Sequence, residues 1–437
     1  MIRRDFIKSS AMAAGTLVTP FPLLEGEEDK IKLAILGTGW WGTDMILEHA
    51  LISNQYEIVA LCDVNEVALE NAAEKVVAAG QKKPKLFSSY QEMYELSGLT
   101  AVAIATPTHW HALHFIDACK KGLDVFLEKP ISYDIREGQA MLSAHQKAKN
   151  VVLVDFPRMM VDTRHKVKAI IESGEIGKVR QIQANINSQE STLVEKEIPS
   201  TFDFEVFCGP APRKKFLCNP NGDKPNWRGQ HDFSRGIMTD WGIHYIHDIR
   251  NIMGLGVPTS VSAIGGTVKN FSSDNPDHLD VRFDFDGLPV YWSHKSWGYT
   301  SPMPDNNIGI YYYGEKGTLF AGDLGWEIYP GDGGNKQSVG SIVFNPEAPG
   351  NEEIYSKMMV DMFLELANGI RKKSNQGITN RLENAKNTTE TVIFGDMAFR
   401  VKSNLIINRS DMIIENNSKA QALLKRDYRS PYQHPFV

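Results

Sequence analysis

The sequence predicts an α/β domain with a doubly wound parallel sheet over residues 30–154, followed by an α+β domain with a large, mainly antiparallel open sheet over 155–437. Three observations carry this expectation. Short apolar runs alternate with helical patterns from Ile31 to Val154. Those runs are apolar at nearly every position, as strands buried on both faces must be. Beyond residue 155 the alternation stops, and strand-like runs succeed one another between turn residues. The 437 residues suffice for two cores, and 42% hydrophobic with 23% charged residues is ordinary globular composition. A net charge of −6 offers no broad basic surface for nucleic acid. No apolar run after the amino terminus is long enough to cross a bilayer.

The chain opens "MIRRDFIKSSAMAAGTLVTPFPLL". Arg3-Arg4, a spacer, Phe6-Ile7 and a small-residue apolar stretch resemble a twin-arginine export signal. Residues 1–29 are therefore read as signal and linker, and the mature protein as periplasmic or otherwise exported. "IKLAILG" follows as the first buried strand and runs into Gly37-Thr38-Gly39-Trp40-Trp41-Gly42 and a helical pattern to Leu51. "YEIVALCD" is the second strand and ends at Asp63, 21 positions after Gly42. Gly37 permits the tight turn, Gly39 lets backbone approach a pyrophosphate, and Gly42 lets helix pack on strand. The helix amino terminus favours phosphate, and Asp63 can accept from ribose hydroxyls while repelling a 2′-phosphate. Strand, glycines, helix, strand and acid in register predict NAD, with NADP second.

Helices are expected at 65–79, 89–96, 109–121 and 134–148, and strands at 101–106, 124–128 and 151–154. Open α/β sheets take ligand beyond the carboxyl ends of their strands. Gly37 and Asp63 would hold the cofactor there, and Thr106-Pro107 and Glu128-Lys129-Pro130 would approach its nicotinamide.

"ATPTHWHALHFIDACKKGLDVFLEKPIS" resembles the glucose–fructose oxidoreductase/inositol 2-dehydrogenase (Gfo/Idh/MocA) family, on Thr106, Pro107, His111, Ala118, Gly122, Glu128, Lys129 and Pro130. The resemblance continues through "FCGPAPRKKF", "NWRGQHDFSRGIMTDWGIHYIHD" and "GIYYYGEKGTLFAGDLGWEIYP", and "DWGIH" and the late "DYRSPY" look like an exported subgroup acting on sugars. The resemblance implies that Lys129 is the catalytic lysine, preceding a cis Pro130, and that Asp240 and His244 are the later acid–histidine pair. Arg158 matches in a segment, "VDFPRMM", that otherwise departs from the family, and the resemblance implies a cofactor contact there. Arg235 stands where the subgroup has glycine, at the mouth of the site. His109 and Trp110 are candidates for the cofactor or sugar pocket, with a core or rim role as the alternative.

"SRGIMTDWGIHYIHD" admits three readings: a metal site, a helix with a solvated face, or a proton-transfer site. As a helix it sets Asp240 and His244 four apart, and His244 and His247 three apart. A metal site needs about three converging ligands, with no further partner visible. Beside a dinucleotide fold and Lys129, proton chemistry is preferred. Hydride transfer from a secondary alcohol needs a base, His244, and a cation near the developing alkoxide, Lys129, with Asp240 orienting the pair. His247 and Asp248 are read as structural or supporting.

In the second domain, strands are expected at "VRQIQANIN", "TSVSAIGGTV", "DVRFDF", "LPVYWSHKSW", "IGIYYYG" and "GTLFAG", and helices at 354–371 and 380–402. An open sheet needs a cover, and a second subunit is the family's usual one, giving a homodimer or homotetramer. Trp227, Arg228 and His231 are candidate sugar contacts. Cys62, Cys119, Cys208 and Cys218 show no metal spacing and are expected as free thiols, although Cys208 and Cys218 could close a loop. The expected activity is an NAD(P)-dependent sugar or glycoside dehydrogenase. The alternatives are redox-assisted glycoside cleavage and a non-catalytic sugar-binding protein.

Overall fold

Six short runs form a parallel sheet: β1 (Ile31–Leu36), β2 (Tyr56–Cys62), β3 (Lys85–Phe87), β4 (Ala101–Ile104), β5 (Asp124–Leu127) and β6 (Val152–Val154), in the order β3-β2-β1-β4-β5-β6. The computed structural model describes residues 29–187, 192–268, 272–298, 308–341 and 351–436, so the expected export signal lies outside the described residues except for Asp29. Every residue of β4, and all of β1 but Lys32, is buried. The strand order reverses at β1, which opens a crevice between the carboxyl ends of β1 and β4. Side-chain caps start several of the connecting helices. Asn65 accepts from the N–H groups of Val67 and Ala68 at the head of Glu66–Ala78, and Asp134 from that of Glu137 at the head of Ile135–Ala148.

The rest of the chain supplies β7 (Val179–Asn187), a small pair β8 (Val194–Glu195) and β9 (Leu217–Cys218), then β10 (Ser260–Gly266), β11 (His278–Phe285), β12 (Leu288–Lys295), β13 (Gly309–Gly314), β14 (Gly317–Ala321), β15 (Leu324–Pro330), β16 (Gln337–Ser341), β17 (Leu405–Asn408) and β18 (Ile413–Ile414). All but the small pair form one ten-stranded sheet, β16-β15-β14-β13-β7-β12-β11-β10-β17-β18. It is antiparallel except where β7 meets β12. Helix Leu382–Val401 covers one face. Gly395 comes so close to the sheet that an added Cβ would lie 3.3 Å from Val281.

Two features tie the halves together. Helix Asn351–Lys372 lays Met359, Met362, Phe363, Leu366 and Ile370 into the same apolar cluster as Leu33, Ile35, Ile58 and Phe126 of the six-stranded sheet. Phe363 stacks on Phe126 at 4.7 Å, and Tyr56 donates to its carbonyl at 2.7 Å. The segment around β8, β9 and helix Phe204–Cys208 forms its own aromatic core from Phe202, Phe204, Phe207, Phe216 and Phe233. It docks just past the end of β2, where Asn65 and Phe202 form an antiparallel bridge and Asp203 donates to the Val64 carbonyl at 2.9 Å. All four cysteines are buried and free.

Candidate active site

The carboxyl ends of β1 and β2 carry the glycine loop and Asp63. Gly37 has φ +95°, and a Cβ there would lie 2.8 Å from the Ala105 carbonyl group. A Cβ on Gly42 would meet the Gly37 oxygen at 1.9 Å, so only glycine lets this helix sit against the strand. At Gly39 a Cβ would face open space, which leaves room above the helix start for a phosphate group. The helix begins with a wide turn over Trp41–Leu47, closing i to i+5, before ordinary helix at Glu48–Ile52. Asp63 Oδ2 accepts from the Thr38 N–H at 2.6 Å, and Oδ1 from the Asn65 N–H at 2.8 Å. Burial raises this carboxyl above its ordinary value, opposed by those two N–H groups. The cradle and the acid fit a dinucleotide, with its pyrophosphate at the helix start and a ribose at Asp63. Trp40 is 65% exposed at the rim.

The ends of β5 and β6 bring a second group together. The Trp41 indole N–H donates to Glu128 and, at 3.1 Å, to Asp155. Burial, and then the neighbouring Asp155, push Glu128 well above the ordinary carboxylate range. Sequence reasoning missed Asp155, although it ends a parallel strand as Glu128 does.

Lys129 follows Glu128 and precedes a cis bond to Pro130. Its Nζ donates to Asp240 Oδ1 at 3.0 Å and to the Asp240 carbonyl at 2.6 Å. Arg228 donates through Nε to the other oxygen, Oδ2, at 2.9 Å. Burial alone would raise Asp240. The charges of Arg228 and Lys129 overcome it and hold the carboxylate well below its usual range. Residues Met238–Gly242 again form a wide turn, so Asp240 and His244 are not stacked as in the straight helix expected, and ordinary helix starts at Ile243. Such turns recur at functional sites because they re-aim side chains. His244 is half-buried, and its Nδ1 is enclosed without a hydrogen-bond partner among the described residues. Burial, then Lys129 and Arg158, push its ring well below the ordinary histidine value, so it is neutral at pH 7 and open to a proton. His247 is fully buried, stacks on Phe156 at 3.7 Å, and meets the Thr388 hydroxyl at 2.9 Å. It does not share a ligand set with Asp240 and His244.

Trp227 and Arg228 lie together at the mouth, the guanidinium 4.4 Å above the indole. His231 is on the same loop, 3.3 Å from the Tyr133 hydroxyl and 3.4 Å from Asp396. Of four other candidates, His109 and Trp110 take the core role given as their alternative, and Arg158 and Arg235 sit elsewhere than expected. His109 is buried against Phe207 and Phe233, with Nε2 2.8 Å from the Phe207 carbonyl. Trp110 stacks on His114 and donates to the same carbonyl at 3.1 Å. Both are core. Arg158 is buried, paired with Asp248 at 3.0 Å and with Asp323, away from the glycine loop. Arg235 is not at the mouth. It is buried, donating to Asp396 at 2.5 Å and to the Tyr133 carbonyl at 2.8 Å. His111 sets its ring between the carbonyls of Pro130 at 2.7 Å and Thr106 at 2.6 Å, bracing the two strand-end loops. Pro107 precedes the first residue of helix Thr108–Lys120. Asn275, which also escaped the sequence, donates to the carbonyls of Arg228 at 2.9 Å and Ser234 at 3.0 Å.

A family profile described as "Oxidoreductase family, NAD-binding Rossmann fold" matches residues 31–156, and one described as "GFO/IDH/MocA C-terminal domain" matches 212–320. The chain belongs to the Gfo/Idh/MocA family. The six-stranded sheet is thus its NAD-binding Rossmann fold, and the ten-stranded sheet belongs to the domain that follows. A "Glycosyl hydrolase family 109 protein" of Stenotrophomonas maltophilia is 33% identical over 134 residues, 29% of each chain. An "Alpha-N-acetylgalactosaminidase" of Shewanella oneidensis is 24% identical over 179 residues, 35% of this chain and 39% of the relative. The matches therefore span well under half of these curated relatives. A levoglucosan dehydrogenase solved with NADH and levoglucosan shares the Gfo/Idh/MocA fold at TM-score 0.65 and 17% identity, over 86% of this chain and 99% of the other.

Proposed function

We propose that this protein is an NAD-dependent oxidoreductase acting on a ring hydroxyl of a sugar or glycoside. The observation that carries the reading is the Lys129–Asp240 pair, 3.0 Å apart where the carboxyl end of β5 meets the wide turn Met238–Gly242, with neutral His244 beside it. When bound, NAD supplies the hydride acceptor or donor. The chain's own residues handle the proton and the charge. Lys129 presents a cation to the substrate oxygen, His244 takes or returns the hydroxyl proton, and Asp240 anchors both cations of the site. Half-buried Trp227 and exposed Arg228, with His231, offer an aromatic face and donors to a sugar. Asp63, with no arginine replacing it, supports NAD over NADP.

A second reading is glycoside cleavage through transient ring oxidation. Oxidation at one carbon acidifies the neighbouring C–H, elimination expels the aglycone, water adds, and re-reduction restores the sugar, so NAD turns over with no net change. The names of the glycosidase relatives favour it. A non-catalytic sugar-binding protein would have no need of Lys129 and His244 together. The Arg3-Arg4 segment supports twin-arginine export to the periplasm. The open face of the large sheet, with Gln181, Gln183, Tyr291 and Ile264, supports burial against a second copy in a homodimer or homotetramer. The test is a panel of sugars and glycosides followed for both NADH and released sugar, with Lys129→Met as control. NADH accumulation identifies the dehydrogenase, and aglycone release without NADH the cleavage. Neither signal from the NAD-loaded protein across the panel would leave the binding protein as the better account.

A further inference from the structure

The carboxy-terminal tail around "DYRSPY", from Arg426 to His434, has no part in the chemistry proposed above, yet it is tied into the fold near the reacting residues. Arg426 is the centre of these ties. Its Nε donates to Glu137 at 2.8 Å, a terminal nitrogen to the His109 carbonyl at 2.7 Å, and its backbone N–H to Asp134 at 3.0 Å. Tyr428 donates to Glu137 at 2.8 Å, and the Arg429 backbone N–H to the Pro210 carbonyl at 2.9 Å. His434 lies 3.0 Å from Asp134. Asp134, Glu137 and His434 converge as metal ligands would. All four carboxylate oxygens are already engaged, by Arg426, Tyr428, His434 and the N–H groups of Tyr133 and Glu137. The guanidinium is the cation of that cluster.

The same guanidinium lies 4.2 Å over the Tyr133 ring, which carries a second one, Arg235, at 4.6 Å. Tyr133 follows Lys129 by four residues in the loop after β5. Its hydroxyl donates to the His231 carbonyl at 2.7 Å, and its own carbonyl accepts from Arg235 at 2.8 Å. The tail, the lysine loop and the loop 226–235 therefore meet at one ring. On its far side that loop is held by Asn275.

We propose that Arg426 is a positioning residue for the reacting site: through Tyr133 it holds the loop 226–235, and with it Arg228, in register with Asp240 and Lys129. The inference rests on the reading of Lys129, Asp240 and Arg228 as the reacting site. Its physical basis is the convergence of buried stacking and hydrogen bonds on Tyr133. Because Asn275 remains as a second clamp, losing the first should loosen the loop without unfolding the protein.

The test is amide hydrogen exchange of the NAD-loaded full chain, compared among wild type, Tyr133→Phe and the double variant Arg426→Met/Glu137→Gln. The first keeps the ring and loses only the bond to His231. The second removes the guanidinium together with the carboxylate it binds through Nε, and leaves Asp134 with His434 and the backbone N–H groups of Glu137 and Arg426. Amides in 226–235 should exchange about tenfold faster in Tyr133→Phe, the scale of one hydrogen bond, and faster still in the double variant. Those of β1 and β4 should not change. Unchanged exchange in 226–235 in both variants would overturn the proposal. So would uniform acceleration across both sheets, which is the signature of general destabilisation. This readout needs no substrate, so it stands or fails separately from the activity. Once a substrate is known, kcat/KM should fall about tenfold in Tyr133→Phe, mainly through KM, with NAD content unchanged.

Discussion

Asp240→Asn is the sharpest perturbation of the site. The carboxylate meets Lys129 at 3.0 Å and Arg228 at 2.9 Å, and asparagine keeps its shape while removing the charge that both share. At an effective dielectric of about 20, each contact is roughly 5 kcal/mol of gross attraction. The two do not count equally. The Arg228 side chain is 48% exposed and regains water, so its share is screened to about 1 kcal/mol or less. The Lys129 side chain is only 11% exposed, and breaking such a pair by removing one partner costs about 3 kcal/mol. The Asp240 carbonyl still accepts from Lys129 at 2.6 Å, which keeps the ammonium in place and lowers the net loss to about 2–3 kcal/mol. Thermal unfolding should therefore shift down by several degrees, and turnover should fall about 10²-fold. NAD content should stay at the wild-type level because the glycine loop and Asp63 lie outside the pair. Adding Arg228→Gln should restore part of the stability, since it removes the second uncompensated cation. A variant with wild-type melting and near-normal turnover would refute the account of Asp240 as the anchor of the site.

Lys129→Met and His244→Ala should each cut turnover about 10²-fold or more, and the double variant far less than the product, because both act on one proton transfer. His247→Ala should leave turnover within a few-fold, and equal loss at His244 and His247, with inactivation by a chelator, would favour a metal instead. Asp63→Ala should weaken the preference for NAD over NADP by about 1–3 kcal/mol, read from binding of the two nucleotides, and an unchanged ratio would remove Asp63 from cofactor selection. Burial pushes His109 and His247 down to about 3, and His294 to about 4. The unfolded chain takes up these protons near pH 6.5, so between pH 6.5 and 4 it binds more of them than the folded one. Stability is then complete above pH 6.5 and lost as the pH falls, by about 1 kcal/mol per unit for each ring. A melting temperature that is flat from pH 7 to 5 would contradict it.

The first sheet was legible because β1, β2 and β4 are largely apolar and the glycines stand at the end of β1. β3, β17 and β18 escaped because two to four residues carry no periodicity, and β15 and β16 because Gly325, Pro330 and Gly340 interrupt their strand pattern. The helix Asp162–Ser173 was not expected, since its core-facing residues are sparse. In the site, Lys129, Asp240 and His244 could be named from their motifs, but the fourth member, Arg228, was placed only as a sugar contact. The resemblance alone points Arg158 and Arg235 towards cofactor and substrate. Their anions are the chain's own. Asp248 is 90 residues from Arg158, and Asp396 is 161 residues from Arg235. A pairing over such separations has no local signature.

The helix Asn351–Lys372 completes the core of a sheet whose last strand ends at Val154. A ribosome adding about 5–20 residues per second needs some 10–40 s to make the intervening stretch of nearly two hundred residues. Throughout that interval Leu33, Ile35 and Phe126 lack the side chains that later seal them. The nascent chain cannot bank its amino-terminal half as a finished unit and move on. Truncations that stop after β6 should aggregate rather than yield a free-standing nucleotide-binding fragment, and supplying residues 351–372 in trans is the rational way to rescue one.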